Sequence, residues 1–137
     1  MSRKPSPMAN IVICDDEPHI TRAMAVKLKR AGHTVQTGCN GAEALAFIRE
    51  RTPDLLITDC QMPVMTGLQL CGELRSTPAT AMLPIVMLTA KGLEISEEEL
   101  QRELGVSRLL FKPFSPREVL TVAEDLMNRP KAESAVA

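Results

Sequence analysis

Apolar residues in this chain gather into five short runs: NIVIC (10–14), HTVQT (33–37), DLLIT (54–58), PIVML (84–88) and SRLLF (107–111). Four of them are almost continuously apolar, the pattern of parallel strands covered on both faces. The segments between them carry a helical period. Ile20, Met24, Leu28 and Ala31 recur at i, i+4, i+8 and i+11 after Pro18, and Gly32 is placed to end that helix. Leu70, Cys71 and Leu74 mark one face of a later one. Helix starts are signalled by a polar residue three positions before Glu or Gln: Asn40 before Glu43, Thr66 before Gln69, Ser96 before Glu99 and Ser115 before Glu118. In such a box the first side chain accepts from the third residue's N–H while the Glu or Gln reaches back. Ile95 and Leu100 are spaced as a hydrophobic staple, as are Phe114 and Val119, and Pro116 suits a first helical position. Five strands alternating with five helices predict a doubly wound α/β sheet. Ligands of such sheets bind beyond the carboxyl ends of the strands.

A length of 137 residues suits one domain, expected over 9–128, with mobile ends over 1–8 and 129–137. A net charge of -1 gives no overall attraction to nucleic acid or to an anionic membrane. No apolar run approaches the roughly 20 residues needed to cross a bilayer, and the basic N-terminal stretch lacks the apolar core of a secretory signal. The cysteines, Cys14, Cys39, Cys60 and Cys71, show no C-x-x-C spacing. Cys14 and Cys71 read as small core residues, and a reduced, cytoplasmic protein is expected.

The carboxyl ends of the runs change the picture. Asp15 and Asp16 follow the first, Asp59 the third, Thr89 the fourth and Lys112 the fifth. Strand ends turn polar wherever they meet water, but three carboxylates, a hydroxyl and an ammonium are complementary types. Carboxylate oxygens are hard ligands that suit Mg²⁺ (or Mn²⁺). Without a cation the three acids would raise one another's pKa. With one, and with Lys112 offsetting charge, an aspartate can attack a phosphoryl group. Thr89 can donate a hydrogen bond to a phosphoryl oxygen.

The motifs that hold these residues are D-D (Asp15-Asp16), D-x-x-M-P-x-x-x-G (Asp59 to Gly67), T-A (Thr89-Ala90) and K-P-F (Lys112 to Phe114). Each is weak alone. In this order, over about residues 9–128, the chain resembles the receiver domain of two-component response regulators, in a stand-alone form like the chemotaxis regulators. The resemblance implies a flavodoxin-like (βα)5 sheet with strand order 2-1-3-4-5. It implies Asp59 as phosphoacceptor, Asp16 as a direct Mg²⁺ ligand and Asp15 as a ligand mainly through water. Asp59 and the backbone carbonyl of Cys60 would complete the protein ligands, and Thr89 and Lys112 would hold the phosphoryl oxygens. A cis Lys112-Pro113 bond is implied too. The implied partners are a histidine kinase or histidine phosphotransfer protein as donor and an unknown downstream protein, with no direct nucleic-acid binding and no membrane. Catalysis would be limited to self-phosphorylation and autodephosphorylation.

Leu109 departs from that pattern. The family usually carries Tyr or Phe there, three residues before the lysine, coupled to the threonine. Phe111 is not that residue shifted, and Phe47, Phe111 and Phe114 are expected as core or cap contacts. Gln61 and Lys91, two residues beyond Asp59 and Thr89, either tune hydrolysis of an aspartyl phosphate, as in the family, or are plain loop residues. His19 is expected on the surface of the first helix. Glu94, Glu97, Glu98 and Glu99 suit a solvated helix start or an acidic docking surface. Arg22, Lys27, Lys29 and Arg30 suit a solvated face of the helix near which family kinases dock. A phosphorylation-independent interaction module on the same fold would not need the full acidic set, and Leu109 is its only support. A metal-dependent phosphatase would need an acid/base carboxylate where Gln61 stands. A DNA-binding regulator is not expected, there being no room after residue 128 for its output domain.

Overall fold

The computed structural model describes residues 9–90 and 96–128. The expectations for 1–8, 129–137, Lys91, Glu94 and the Ile95 staple lie outside the described residues. Five strands, β1 (Asn10–Cys14), β2 (Thr34–Gly38), β3 (Leu55–Asp59), β4 (Ile85–Thr89) and β5 (Arg108–Phe111), alternate with five helices. These are α1 (Pro18–Arg30), α2 (Gly41–Glu50), α3 (Gly67–Arg75), α4 (Glu97–Leu104) and α5 (Pro116–Met127). A 3-10 turn over Pro78–Thr80, too short to show a period, leads into β4. All strand pairs are parallel, in the order β2-β1-β3-β4-β5.

Strands β2 to β5 begin one residue later than the apolar runs. β3 and β4 also run one residue further, so Asp59 and Thr89 are the last residues of their strands. The ladder is made by backbone N–H and C=O groups, which are indifferent to side-chain polarity. Asp59 therefore still pairs with Leu88, and Thr89 with Phe111.

Successive strand residues point to opposite faces, and in β1, β3 and β4 both faces are buried. Ile11, Ile13, Leu55, Ile57, Val86 and Leu88 pack with Met24 and Leu28 of α1 and Val119 and Ala123 of α5. On the other face Val12, Leu56, Ile85, Met87 and Leu109 pack with residues of α2, α3 and α4, among them Ile48, Leu70, Leu74 and Leu100. Burying one such side chain contributes about 1.5–3 kcal/mol. Leu109 is thus held in the core beside α4. Phe47 and Phe114 pack on the two clusters as expected. Phe111 does not: it is 51% exposed. It ends an edge strand, where its one cross-strand neighbour is Thr89.

The predicted caps close the helix starts. Thr66, Ser96 and Ser115 form reciprocal capping boxes. Asn40 accepts from Glu43 N–H, but the Glu43 carboxylate bonds the Cys39 N–H instead of closing the box. At the far end of α3, Arg75 binds five backbone carbonyls. Its Nε donates to Leu104 (2.8 Å), one terminal nitrogen to Thr80 and Ala81 (3.0 and 2.9 Å), and the other to Leu83 and Gly105 (2.7 and 3.0 Å). That uses every donor a guanidinium has. One side chain therefore ties α3, the 3-10 turn, the approach to β4 and the end of α4. Gly105 caps α4 at φ +63°, in the left-handed region that glycine occupies without strain.

Candidate functional site

The parallel register brings the ends of β1, β3, β4 and β5 to one edge of the sheet. Asp15, directly after β1, is only 1% exposed. Its Oδ1 accepts from Glu17 N–H at 2.9 Å. Its buried Oδ2 has no aligned hydrogen bond, although Lys112 Nζ stands 3.2 Å away. Asp59 is buried at the end of β3; its Oδ1 accepts from Cys60 N–H at 2.9 Å and its Oδ2 lies 3.5 Å from Lys112 Nζ. Asp16 is exposed, and Asp15, Asp16 and Asp59 each offer an oxygen within 4.8 Å of the others.

Lys112 is placed by the strand before it, its N–H bonding Thr89 C=O at 2.8 Å, and its bond to Pro113 is cis, as the resemblance implies. Thr89 is buried on the same edge, but its hydroxyl donates to the Ala90 carbonyl at a long 3.3 Å. The Cys60 carbonyl accepts from Gly67 N–H at 3.0 Å, which leaves one lone pair free. Gln61 and His19 are exposed, as are Glu97, Glu98, Glu99, Arg22, Lys29 and Arg30, while Lys27 is half-buried.

Glu17 belongs to the site although the pattern of strand ends does not select it. Its Oε1 is 2.8 Å from Lys112 Nζ, closer than either aspartate. The one sequence signal was its place as the third acid in the run Asp15-Asp16-Glu17.

Between β3 and α3 the chain doubles back tightly. Met65 N–H bonds Pro63 C=O at 2.7 Å across Val64, which sits at φ +70°. For a β-branched residue that is a strained conformation, costing on the order of 1–3 kcal/mol. Gly67 follows, and any Cβ there would collide with the Asp59 carbonyl oxygen.

The electrostatics favour an added cation. Burial, reinforced by the charge of Asp15, pushes the Asp59 pKa up to about 6, against the pull of Lys112 and the Cys60 N–H. Burial raises Asp15 as well, opposed by the Glu17 N–H and Lys112. Burial disfavours the Lys112 charge, but the Glu17 hydrogen bond and the charges of Asp15 and Asp59 outweigh it and raise its pKa. Three carboxylates, those of Glu17, Asp15 and Asp59, thus face one ammonium. An orphaned, buried carboxylate oxygen, two further aspartates and a spare carbonyl lone pair make an all-oxygen donor set that fits a hard divalent cation.

The pKa shifts fix a sign for pH dependence. Folded Asp59 holds its proton up to about pH 6, whereas an ordinary aspartyl carboxyl loses it near 3.8. Between those values the folded state binds more protons than the unfolded, so stability falls as pH rises through the window. Without metal, the protein should therefore gain about 2 kcal/mol on going from pH 7 to pH 4.5 from this group. Thermal melts in a chelator should show Asp59→Asn more stable than wild type at pH 7, with the difference shrinking at pH 4.5. A difference that does not change with pH would contradict the assignment.

A cavity of about 300 Å³ lined by Asn10, Thr34, Phe47 and Arg51 lies at the opposite ends of β1 and β2 and shares no residue with the acidic edge. No helix among the described residues is long and apolar enough to cross a membrane.

Comparison with known proteins agrees with this geometry. Residues 11–124 match the response regulator receiver domain family. The phosphate regulon transcriptional regulatory protein PhoB of Rhizobium meliloti is 36% identical over 92% of this chain and 55% of its own length. The alkaline phosphatase synthesis transcriptional regulatory protein PhoP of Bacillus subtilis is 38% identical over 87% of this chain and 48% of its own. The chain thus spans about half the length of these curated relatives. Among solved structures, the chemotaxis response regulator CheY4 of Vibrio cholerae superposes with a TM-score of 0.79 at 32% identity, over 87% of this chain and 98% of that one. The receiver domain of a Pseudomonas aeruginosa sensor histidine kinase, with a magnesium ion coordinated in its active-site cleft, gives 0.79 at 25% identity over 89% and 99%.

Proposed function

Because this chain belongs to the response regulator receiver domain family, we propose that it takes a phosphoryl group onto Asp59 from a phosphohistidine. The donor is a histidine kinase or a histidine phosphotransfer protein, and the readout is a changed surface for a downstream protein. The observation that carries this reading is the placement of the buried Asp59 beside Lys112, with Asp15 and Asp16 completing an oxygen-lined edge.

An ionised Asp59 oxygen attacks phosphorus, the N–P bond of the phosphohistidine breaks, and the imidazole leaves with a proton from solvent. A pKa of about 6 leaves Asp59 mostly ionised at neutral pH. Lys112 meets the charge that gathers on the phosphoryl oxygens, and the Thr89 hydroxyl turns from its long bond to Ala90 to donate to one of them. The oxygens of Asp15, Asp16 and Asp59 and the Cys60 carbonyl would hold Mg²⁺ (or Mn²⁺), as the Pseudomonas receiver holds magnesium. Bound there, the cation would offset the charge that otherwise keeps a carboxylate from a phosphoryl group.

We assign residues 9–128 as the receiver unit. Its catalysis is confined to its own phosphorylation and dephosphorylation. Four free cysteines suit the reduced cytoplasm, where the family's kinases act. Leu109, buried beside α4 with no ring to turn, favours a second reading, an interaction module that ignores phosphate. Labelling separates the two. With Mg²⁺ and acetyl phosphate, wild type should gain one acid-stable, base-labile phosphoryl group and Asp59→Asn none. Equal labelling of the variant would remove Asp59 from its role, and an unlabelled wild type would leave the interaction module.

A further inference from the structure

Lys112 is the cation that would meet the phosphoryl oxygens, yet its closest partner is outside that chemistry. Nζ lies 2.8 Å from Glu17 Oε1, against 3.2 Å from Asp15 Oδ2 and 3.5 Å from Asp59 Oδ2. Glu17 occupies the N-cap position of α1 but makes no side-chain cap bond. Its backbone is pinned on both sides. The N–H donates to Asp15 Oδ1, and the carbonyl accepts from the N–H groups of Ile20 and Thr21 and from the Thr21 hydroxyl. Only the side chain has freedom, and at 46% exposure it folds back across the mouth of the site to the lysine.

An ammonium has three N–H bonds in tetrahedral directions, and here one is committed to a residue that neither binds metal nor accepts phosphate in the proposed reaction. Drawing Lys112 fully onto a phosphoryl group therefore requires loosening its bond to Glu17. We propose that Glu17 is a positioning residue that competes with the phosphoryl group for Lys112 and so sets how readily the phosphorylated state forms. The proposal rests on the receiver reading above.

The competition is tested with beryllofluoride plus Mg²⁺, a phosphoryl mimic, titrated against the full chain. The chain has no Trp or Tyr, so binding is followed by amide NMR. Two variants separate holding the lysine from merely carrying charge. Glu17→Gln removes the charge and keeps the length. Glu17→Asp keeps the charge but is a methylene shorter, and aspartate at an N-cap turns to the first-turn N–H groups. Both variants should bind beryllofluoride about two- to fivefold more tightly than wild type, the scale of one part-exposed ion pair. Tightening in Glu17→Gln alone would mean a field effect at the mouth and overturn the proposal. Unchanged or weaker binding in both would overturn it as well, making Glu17 a support for Lys112. A wild type that does not bind beryllofluoride at all would instead sink the receiver reading beneath it.

Discussion

Gly67→Ala is expected to destabilise the protein by about 3 kcal/mol or more and to disable the acidic edge at the same time. The methyl group would collide with the Asp59 carbonyl oxygen and crowd the Asp59 carbon and Cys60 Cα. All three are backbone atoms, so no flexible side chain can move aside. Nor can the strand retreat, because Asp59 pairs with Leu88 of β4 and Cys60 N–H bonds Leu88 C=O at 2.8 Å. Relief would have to come from moving the start of α3, which breaks the Gly67 N–H bond to the Cys60 carbonyl. That carbonyl is one of the proposed metal ligands. Lost stability should therefore come with lost response to Mg²⁺, read as the shift in melting temperature on adding the ion. A variant that melts within a degree or two of wild type would show that the loop is far softer than the geometry indicates.

Arg75→Met should cost about 3–5 kcal/mol, from the loss of five charge-assisted bonds to carbonyls, and lower the melting temperature by about 10–20 °C. The carbonyls of Leu104 and Gly105 end α4, and those of Thr80, Ala81 and Leu83 line the approach to β4. Methionine fills much of the volume but donates nothing, so these carbonyls must turn to water and the segments they belong to separate. Arg75→Lys should recover little, because an ammonium has three donors and lacks the planar fork. The loss should concentrate at the end of α4, where hydrogen exchange of Gly105 and Val106 would accelerate. Melting of Arg75→Met within about 3 °C of wild type would show the clasp to be incidental.

The contrast between these residues shows what a sequence discloses. Asp15, Asp59, Thr89 and Lys112 were legible because each follows a run of apolar residues, and a parallel sheet delivers all such positions to one edge. The caps at Thr66, Ser96 and Ser115 were legible because their bonds join residues three apart. Arg75 was not. Its partners are backbone carbonyls up to 30 residues away, and a carbonyl leaves no mark in residue type. Glu17 was visible as an acid, but only the fold shows that Lys112, 95 residues later, arrives at its side chain. Phe111 misled for a related reason, since an aromatic residue in an apolar run reads as core unless the edge of the sheet is known. The one-residue offset of the strands has the same origin: backbone pairing continues past the point where side chains turn polar.

The arrangement also explains why the metal-free site is costly to the fold. Asp15 and Asp59 both have raised pKa values chiefly from burial, and the single Lys112 ammonium is shared among three acids. On the proposed function, a cation and a phosphoryl group would together complete what the chain leaves unmatched, and binding them would stabilise the fold.

The most direct test is to find where the phosphoryl group sits. Borohydride reduces an aspartyl phosphate to homoserine, which marks the acceptor permanently. Wild type treated with acetyl phosphate and Mg²⁺, then with borohydride and trypsin, should yield the peptide of residues 52–75 with homoserine at position 59 and nowhere else. Homoserine at Asp15, Asp16 or Asp54, or a phosphoryl group on His19 with Asp59 unmodified, would contradict the account.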